Sequence, residues 1–255
     1  PDSQDVDPAF LTIEQHFIQN QALKSEHELY KTFVPKQIQA FSHGFLECIY
    51  GKVDVDFVEI YSKYFVDESV NFFADTTLSR DANRSFTTQL SFVHPFSVQI
   101  MARALWLLSN KPDIWQSLRR TPSYIPAFFD ELLRLHSPQQ GFLRYALEDI
   151  VLHGEVIPSK QRLIALTSVA NRDPGQFVRE NEFLITRKVP GRGRSFWHLS
   201  KGHSVAAQSL ELSKYLLELI LYNHQTIAPS KVSALQTKPS FLTEYITHLP
   251  ISLVR

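Results

Sequence analysis

Glu131 and Arg134 stand three residues apart in the otherwise apolar stretch Ile125-Pro126-Ala127-Phe128-Phe129-Asp130-Glu131-Leu132-Leu133-Arg134-Leu135-His136-Ser137-Pro138. No other feature restricts the fold of this chain as much. On a helix that spacing puts both side chains on one face. Exposed, such a pair is worth about 0–1 kcal/mol and fixes little. Buried, it must be built into the core. The residues alone leave both readings open.

The surrounding pattern is helical. Periodicity runs through much of Ile13 to Leu118, as in Phe41, Phe45, Ile49 and then Phe57, Ile60, Phe65. Asp67 to Arg84 is polar and reads as a loop. A long helix is predicted over about Phe86 to Asn110, with Ile100, Ala104, Leu107 and Leu108 at helical spacing, and Pro112 prevents the next segment from continuing it. Strand character follows at Phe142–Leu152 and Arg162–Thr167, punctuated by Gly154 and Pro158. Ala206 to Tyr222 returns to helix spacing, and Leu249 to Leu253 reads as a last short strand. The expectation is a mainly α protein with a small β-rich corner: one domain over residues 1–255, mainly helical over 8–140 and 200–225, and strand-containing over 141–170 and 240–255.

Composition removes several classes of function. The formal net charge is zero, so no global field recruits nucleic acid or an anionic membrane. One cysteine in 255 residues excludes an internal disulfide framework and suits a reducing compartment. No apolar run approaches the ~20 residues that span a bilayer. The polar, acidic start, Pro1 to Asp5, is unlike a signal peptide. A cytoplasmic protein is expected. No HExxH, CxxC or G-x-S-x-G pattern occurs, and Gly191-x-Gly193 lacks a third glycine. Arg187, Lys188, Arg192 and Arg194 read as a solvated basic loop, and Cys48 as a small buried hydrophobe.

The stretch Ile125 to Pro138 resembles the ExxR helix of the cytochrome P-450 family, whose pattern is I-P-x-x-x-x-E-L-L-R-x-x-S-P. Other pieces follow in family order: Asn110 to Arg119, Gly141 to Ile150, Ala170-Asn171-Arg172-Asp173-Pro174, and Phe183 to Arg187. His198-Leu199-Ser200-Lys201-Gly202-His203-Ser204-Val205-Ala206-Ala207-Gln208 is similar to the family's haem-binding loop, H-L-S-F-G-H-G-x-H-x-C. Phe33 to Ile38 resembles the F-T-P-x-x-V segment, while His27 and Lys31 fall about one turn too late for the HxxxR pair. The resemblance implies the family's helical fold, shortened or without its lid helices, with Glu131 and Arg134 buried as a structural pair.

The departures carry the functional reading. Gln208 stands where the family has the cysteine whose thiolate holds iron, and an amide supplies no anionic sulfur. The oxygen-activating A-G-x-[ED]-T is replaced by Phe92-Val93-His94-Pro95-Phe96-Ser97. There Pro95 kinks a helix, Phe96 takes the place of the threonine, and Ser97 is a displaced alcohol. Arg144 and His198 match positions that pair with haem propionates, leaving residual haem or anion contacts. Glu182 stands where the family has the arginine that completes the triad, with Arg172 or Arg187 as substitutes. The implied protein has no cofactor and no catalytic residue, and acts as an auxiliary partner of a pathway enzyme, such as a glycosyltransferase. The alternatives are a haem enzyme with an unusual ligand, His203 or His94, and a binding protein for a hydrophobic small molecule.

Overall fold

The computed structural model describes residues 39–73, 96–187, 204–231, 234–240 and 242–254, with side chains described from 39–65, 96–187, 209–231, 234–240 and 242–254. The first helix, α1, covers 39–49 and buries Phe41, Phe45 and Ile49 along one stripe. A short strand, β1 (Asp54–Asp56), leads into α2 (Phe57–Phe73). Asp56 starts that helix. Its Oδ1 accepts hydrogen bonds from the Val58 and Glu59 amides at 3.1 and 3.3 Å, satisfying donors that have no partner within the helix. Phe45, Phe57 and Tyr61 bind α1 to α2: Tyr61 stacks on Phe57 at 5.2 Å and meets Phe45 edge-on at 5.0 Å.

The first part of the loop expected from Asp67 is helical instead, since α2 continues to Phe73. Nucleating a helix is the costly step, and a turn already anchored by Phe57, Tyr61 and Phe65 propagates through polar residues. Residues 74–84 lie outside the described residues. The long helix expected from Phe86 is described from Phe96, as α3 over 96–109. Its residues Val98, Ile100, Met101, Ala102, Ala104, Leu105 and Leu108 are buried around the whole circumference, which makes it the central helix of the core.

Pro112 at the first helical positions opens α4 (Pro112–Arg120) and stops α3 from continuing. After a 3-10 turn at Pro122–Tyr124 comes α5 (Ile125–His136), which starts on Pro126 and ends before Pro138. Ser137 is extended, as a residue before proline must be. The expected strand Phe142–Leu152 is two strands, β2 (Phe142–Tyr145) and β3 (Ile150–Leu152). The break comes where the Ala146 amide and carbonyl turn to Gln161 and Lys160. β3 forms a hairpin with β4 (Glu155–Ile157), and β2 pairs with β5 (Arg162–Ala165). His153 and Gly154, both at positive φ, make the two-residue hairpin loop, a geometry that favours glycine. The predicted end of β5 at Thr167 is instead the first residue of a one-turn helix, α6 (Thr167–Ala170).

The last long helix, α7 (Ser204–Asn223), lays Leu210, Leu216, Leu217 and Ile220 into the core. It runs into β6 (Thr226–Pro229). A hairpin, β7 (Gln236–Ser240) and β8 (Thr243–His248), precedes β9 (Pro250–Val254). β9 lies between β1 and β6 in an antiparallel three-stranded sheet, with Val55 opposite Ile251 and Ile227 opposite Leu253. The sequence pattern of β1, β6 and β7 is too short to stand out, so the strand content exceeds the expected ranges. Among the described residues no helix is long and apolar enough to cross a membrane.

Two buried polar residues of α3 hold the β7–β8 hairpin. The Gln99 side-chain amide donates to the Ile246 carbonyl at 2.9 Å and accepts from its amide at 2.8 Å, standing in for a neighbouring strand. Arg103 donates to Gln99 Oε1 at 2.9 Å and also bonds the Glu244 carbonyl. Burial lowers the Arg103 guanidinium to about 10, against the opposing pull of Glu244. Gln99→Ala orphans both backbone groups of Ile246. It is expected to cost about 1–3 kcal/mol in urea unfolding, and a loss below about 0.5 kcal/mol would show the clamp to be dispensable.

Candidate functional site

Glu131 and Arg134 are buried on α5, with side chains 3% and 2% exposed. Arg134 Nε and Nη2 bind the two carboxylate oxygens at 2.8 Å each, a fork-on-fork contact. The third member is Arg187, whose Nε donates to the same carboxylate at 2.9 and 3.1 Å with its side chain 7% exposed. The Leu184 amide adds a further donor at 3.0 Å. The two guanidiniums spend their remaining N–H groups on the turn-rich segment 171–187. Arg134 reaches the carbonyls of Asn171, Glu180 and Glu182 at 2.7, 2.6 and 3.0 Å. Arg187 reaches those of Arg179 and Glu182 at 3.0 and 2.9 Å, and that of Val178. Phe177 packs under the Arg134 guanidinium at 5.0 Å.

This geometry settles which arginine completes the cluster. Glu182 stays at the surface, where its carboxylate pairs with Arg179, and only its carbonyl serves the cluster. Arg172 bonds the Leu135 and Ser168 carbonyls. Arg187, read from sequence as part of a solvated basic loop, is instead buried against Glu131, because an unshared carboxylate in the core attracts the nearest flexible cation. Lys188, Arg192 and Arg194 lie outside the described residues. Burial pushes the Glu131 carboxyl up, but the hydrogen bonds from Arg134, Leu184 and Arg187 outweigh it and hold the group below its ordinary range. With the carboxylate ionised and every oxygen occupied, the cluster has no proton or nucleophile to offer. Its work is architectural.

His136, one turn further along α5, escaped the sequence reading. Its ring meets Trp106 edge-on at 5.7 Å. Burial, helped by Arg172, Arg103 and Arg134, lowers it to about 4, so the imidazole is neutral near pH 7. The Gln99–Arg103 clamp was missed as well. Its signal was available: two polar residues four apart in the apolar run from Val98 to Leu108.

The expected cofactor positions are distributed as follows. Gln208 lies in the second turn of α7. Phe96 is half-buried and packs against the core at the start of α3, and the Tyr61 hydroxyl donates to Ser97 Oγ at 3.4 Å. Arg144 lies over the Phe142 ring at 5.0 Å and donates to the Leu143 carbonyl at 2.7 Å. Cys48 sits on α1, half-buried against the core. His27, Lys31, Phe33 to Ile38, His94, Pro95, His198, Lys201 and His203 lie outside the described residues. Among the described residues, no three His, Cys, Asp or Glu side chains group to hold a metal ion.

The cytochrome P-450 sequence profile matches residues 107–204, a span that contains the whole Glu131–Arg134–Arg187 cluster. Over that span the chain is similar to the cytochrome P-450 family. It is 30% identical to cytochrome P-450 144 of Mycobacterium tuberculosis over 155 residues, 60% of this chain and 35% of that protein. It is 33% identical to 6-deoxyerythronolide B hydroxylase of Saccharopolyspora erythraea over 109 residues, 43% of this chain and 26% of that protein. The matched region thus spans about a third or less of the length of these two relatives. The fold is that of the family: cytochrome P-450-153 from Novosphingobium aromaticivorans superposes with a TM-score of 0.70 at 18% identity, covering 94% of this chain and 74% of that one.

Removing the charge at Glu131 leaves two buried guanidiniums facing each other. Glu131→Gln is expected to cost about 3–5 kcal/mol in chemical unfolding, with loss of protease protection over 171–187. Acid acts separately. His136 has a folded value near 4, below its ordinary 6.5, so the unfolded chain takes up the proton first. Stability therefore falls as pH drops from 6.5 to 4, and the Glu131 contribution is lost below that as its carboxyl protonates. His136→Gln should flatten the slope between those values; a melting profile with the wild-type slope would refute the assignment.

Proposed function

We propose that this chain is a haem-free cytochrome P-450 homologue that works as an auxiliary partner of a biosynthetic enzyme. The observation that carries the reading is the location of its sulfur. The family's cysteine-ligated haem needs a thiolate, and the one cysteine of this chain, Cys48, lies on α1, outside the matched span, and packs against the core. Gln208, aligned with the lost ligand, offers a neutral amide. The residues present do not fit a thiolate-held haem, and no reaction step is assigned to one.

The oxygen-activating position points the same way. Phe96 fills core space where the family has an alcohol, and the Ser97 hydroxyl is engaged by Tyr61 of α2. The structural ion cluster is kept while the chemistry-bearing positions differ, which is what a scaffold under selection for shape would retain. An auxiliary protein of this kind acts by binding one state of its partner more tightly than the other. The single cysteine suits the cytoplasm as the place of action.

The test is an absorption spectrum of protein expressed with excess haem precursor, followed by a reduced carbon-monoxide scan. No Soret band is expected from folded protein. Pull-down from the native host should then return a biosynthetic enzyme whose activity rises with added chain. A stoichiometric Soret band would overturn the proposal in favour of an enzyme with an unusual iron ligand.

A further inference from the structure

Asn171 caps the end of α6, where the segment 171–187 begins, and is 1% exposed. Its backbone is engaged on both sides. The amide donates to the Thr167 carbonyl at 2.9 Å, and the carbonyl accepts from Arg134 Nη1 at 2.7 Å. The side chain is not engaged: among the described residues, neither Oδ1 nor Nδ2 has a hydrogen-bond partner. A primary amide carries two N–H donors and an oxygen with two lone pairs. Closed off from solvent with all of them unused, it forfeits the hydrogen bonds that solvent gives the unfolded chain.

The surroundings narrow what can satisfy it. Arg134 spends all five of its N–H groups on Glu131 and on the carbonyls of Asn171, Glu180 and Glu182, so none remains for Oδ1. Arg172 turns to the Leu135 and Ser168 carbonyls. A cation is disfavoured beside the Arg134 guanidinium, and an anion would set a negative charge against Oδ1. The partner must be small and neutral, and must both donate and accept. We propose that Asn171 holds one buried water molecule, which accepts from Nδ2, donates to Oδ1 and is sealed in by the segment 171–187. The N–H on the same side as the amide oxygen aims both groups at a single water, which closes a ring with them. Water suits either assignment of the amide oxygen and nitrogen. The two amide groups supply the minimum of about two polar partners that a buried water needs, and such a water is part of the fold. It leaves only when the segment opens, because Thr167 and Arg134 fix the Asn171 backbone. The site does not depend on haem.

Magnetic relaxation dispersion of water oxygen counts the waters that exchange slowly enough to tumble with the full chain. Asn171→Leu removes both polar groups and is expected to hold one such water fewer than wild type. Asn181→Ala, at an exposed asparagine of the same segment, should match wild type. Far-UV circular dichroism checks that the variants fold. Equal counts in wild type and Asn171→Leu overturn the proposal, as does the same loss in Asn181→Ala. A crystal structure of wild type that resolves ordered solvent tests the geometry with no substitution at all. A water oxygen about 2.7–3.2 Å from both Oδ1 and Nδ2 is expected. A protein group or an ion in that place, or no ordered density there, overturns the proposal.

Discussion

One carboxylate shared by two guanidiniums, buried where α5 meets the segment 171–187, is the interaction on which the rest of the structure depends. An isolated charge in that position would be prohibitive. Glu131 is tolerated because four donor groups converge on it, and Arg134 and Arg187 are tolerated because their other N–H groups find carbonyls. The desolvation cost is met by hydrogen bonds, and those bonds shape a stretch of backbone that has no helix or strand of its own.

The core around this cluster follows from simpler rules. α3 is buried on every side and lies in the middle; α1, α2 and α7 bring single stripes to it. The sheet β1–β9–β6 closes one end, where Trp115 Nε1 donates to the Gln225 carbonyl at 2.8 Å and ties α4 to the end of α7. Gly141 allows β2 to start close to β5, since a Cβ there would lie 2.8 Å from the Ala165 carbonyl oxygen. Polar interior contacts, at Gln99, Arg103 and Glu131, then fix how these layers register.

Much of this was legible from the residues. The helices with a clear apolar stripe, α1 and α7, were found, and so were the proline that opens α4 and the ExxR pair. The strands that pair far along the chain were not. β1 is three residues long, and its partner β9 lies about 200 positions away, so no local pattern announces it. The third member of the ion cluster was narrowed to Arg172 or Arg187 but not decided, because both are basic residues near the right place in sequence. Only the path of 171–187 in space brings Arg187 to the carboxylate. His136 was missed because its lowered value comes from burial first, and then from arginines on three different segments, none of which a local pattern reveals.

The segment 171–187 also has a thermodynamic character of its own. Its turns are too short to persist alone, and its carbonyls are held by cations on α5 and at its own end. It cannot loosen gradually. Losing Arg187 exposes Glu131, and losing Glu131 releases Arg134, so the contacts form or break together. In hydrogen-exchange terms this stretch and the last turns of α5 make up a single cooperative unit.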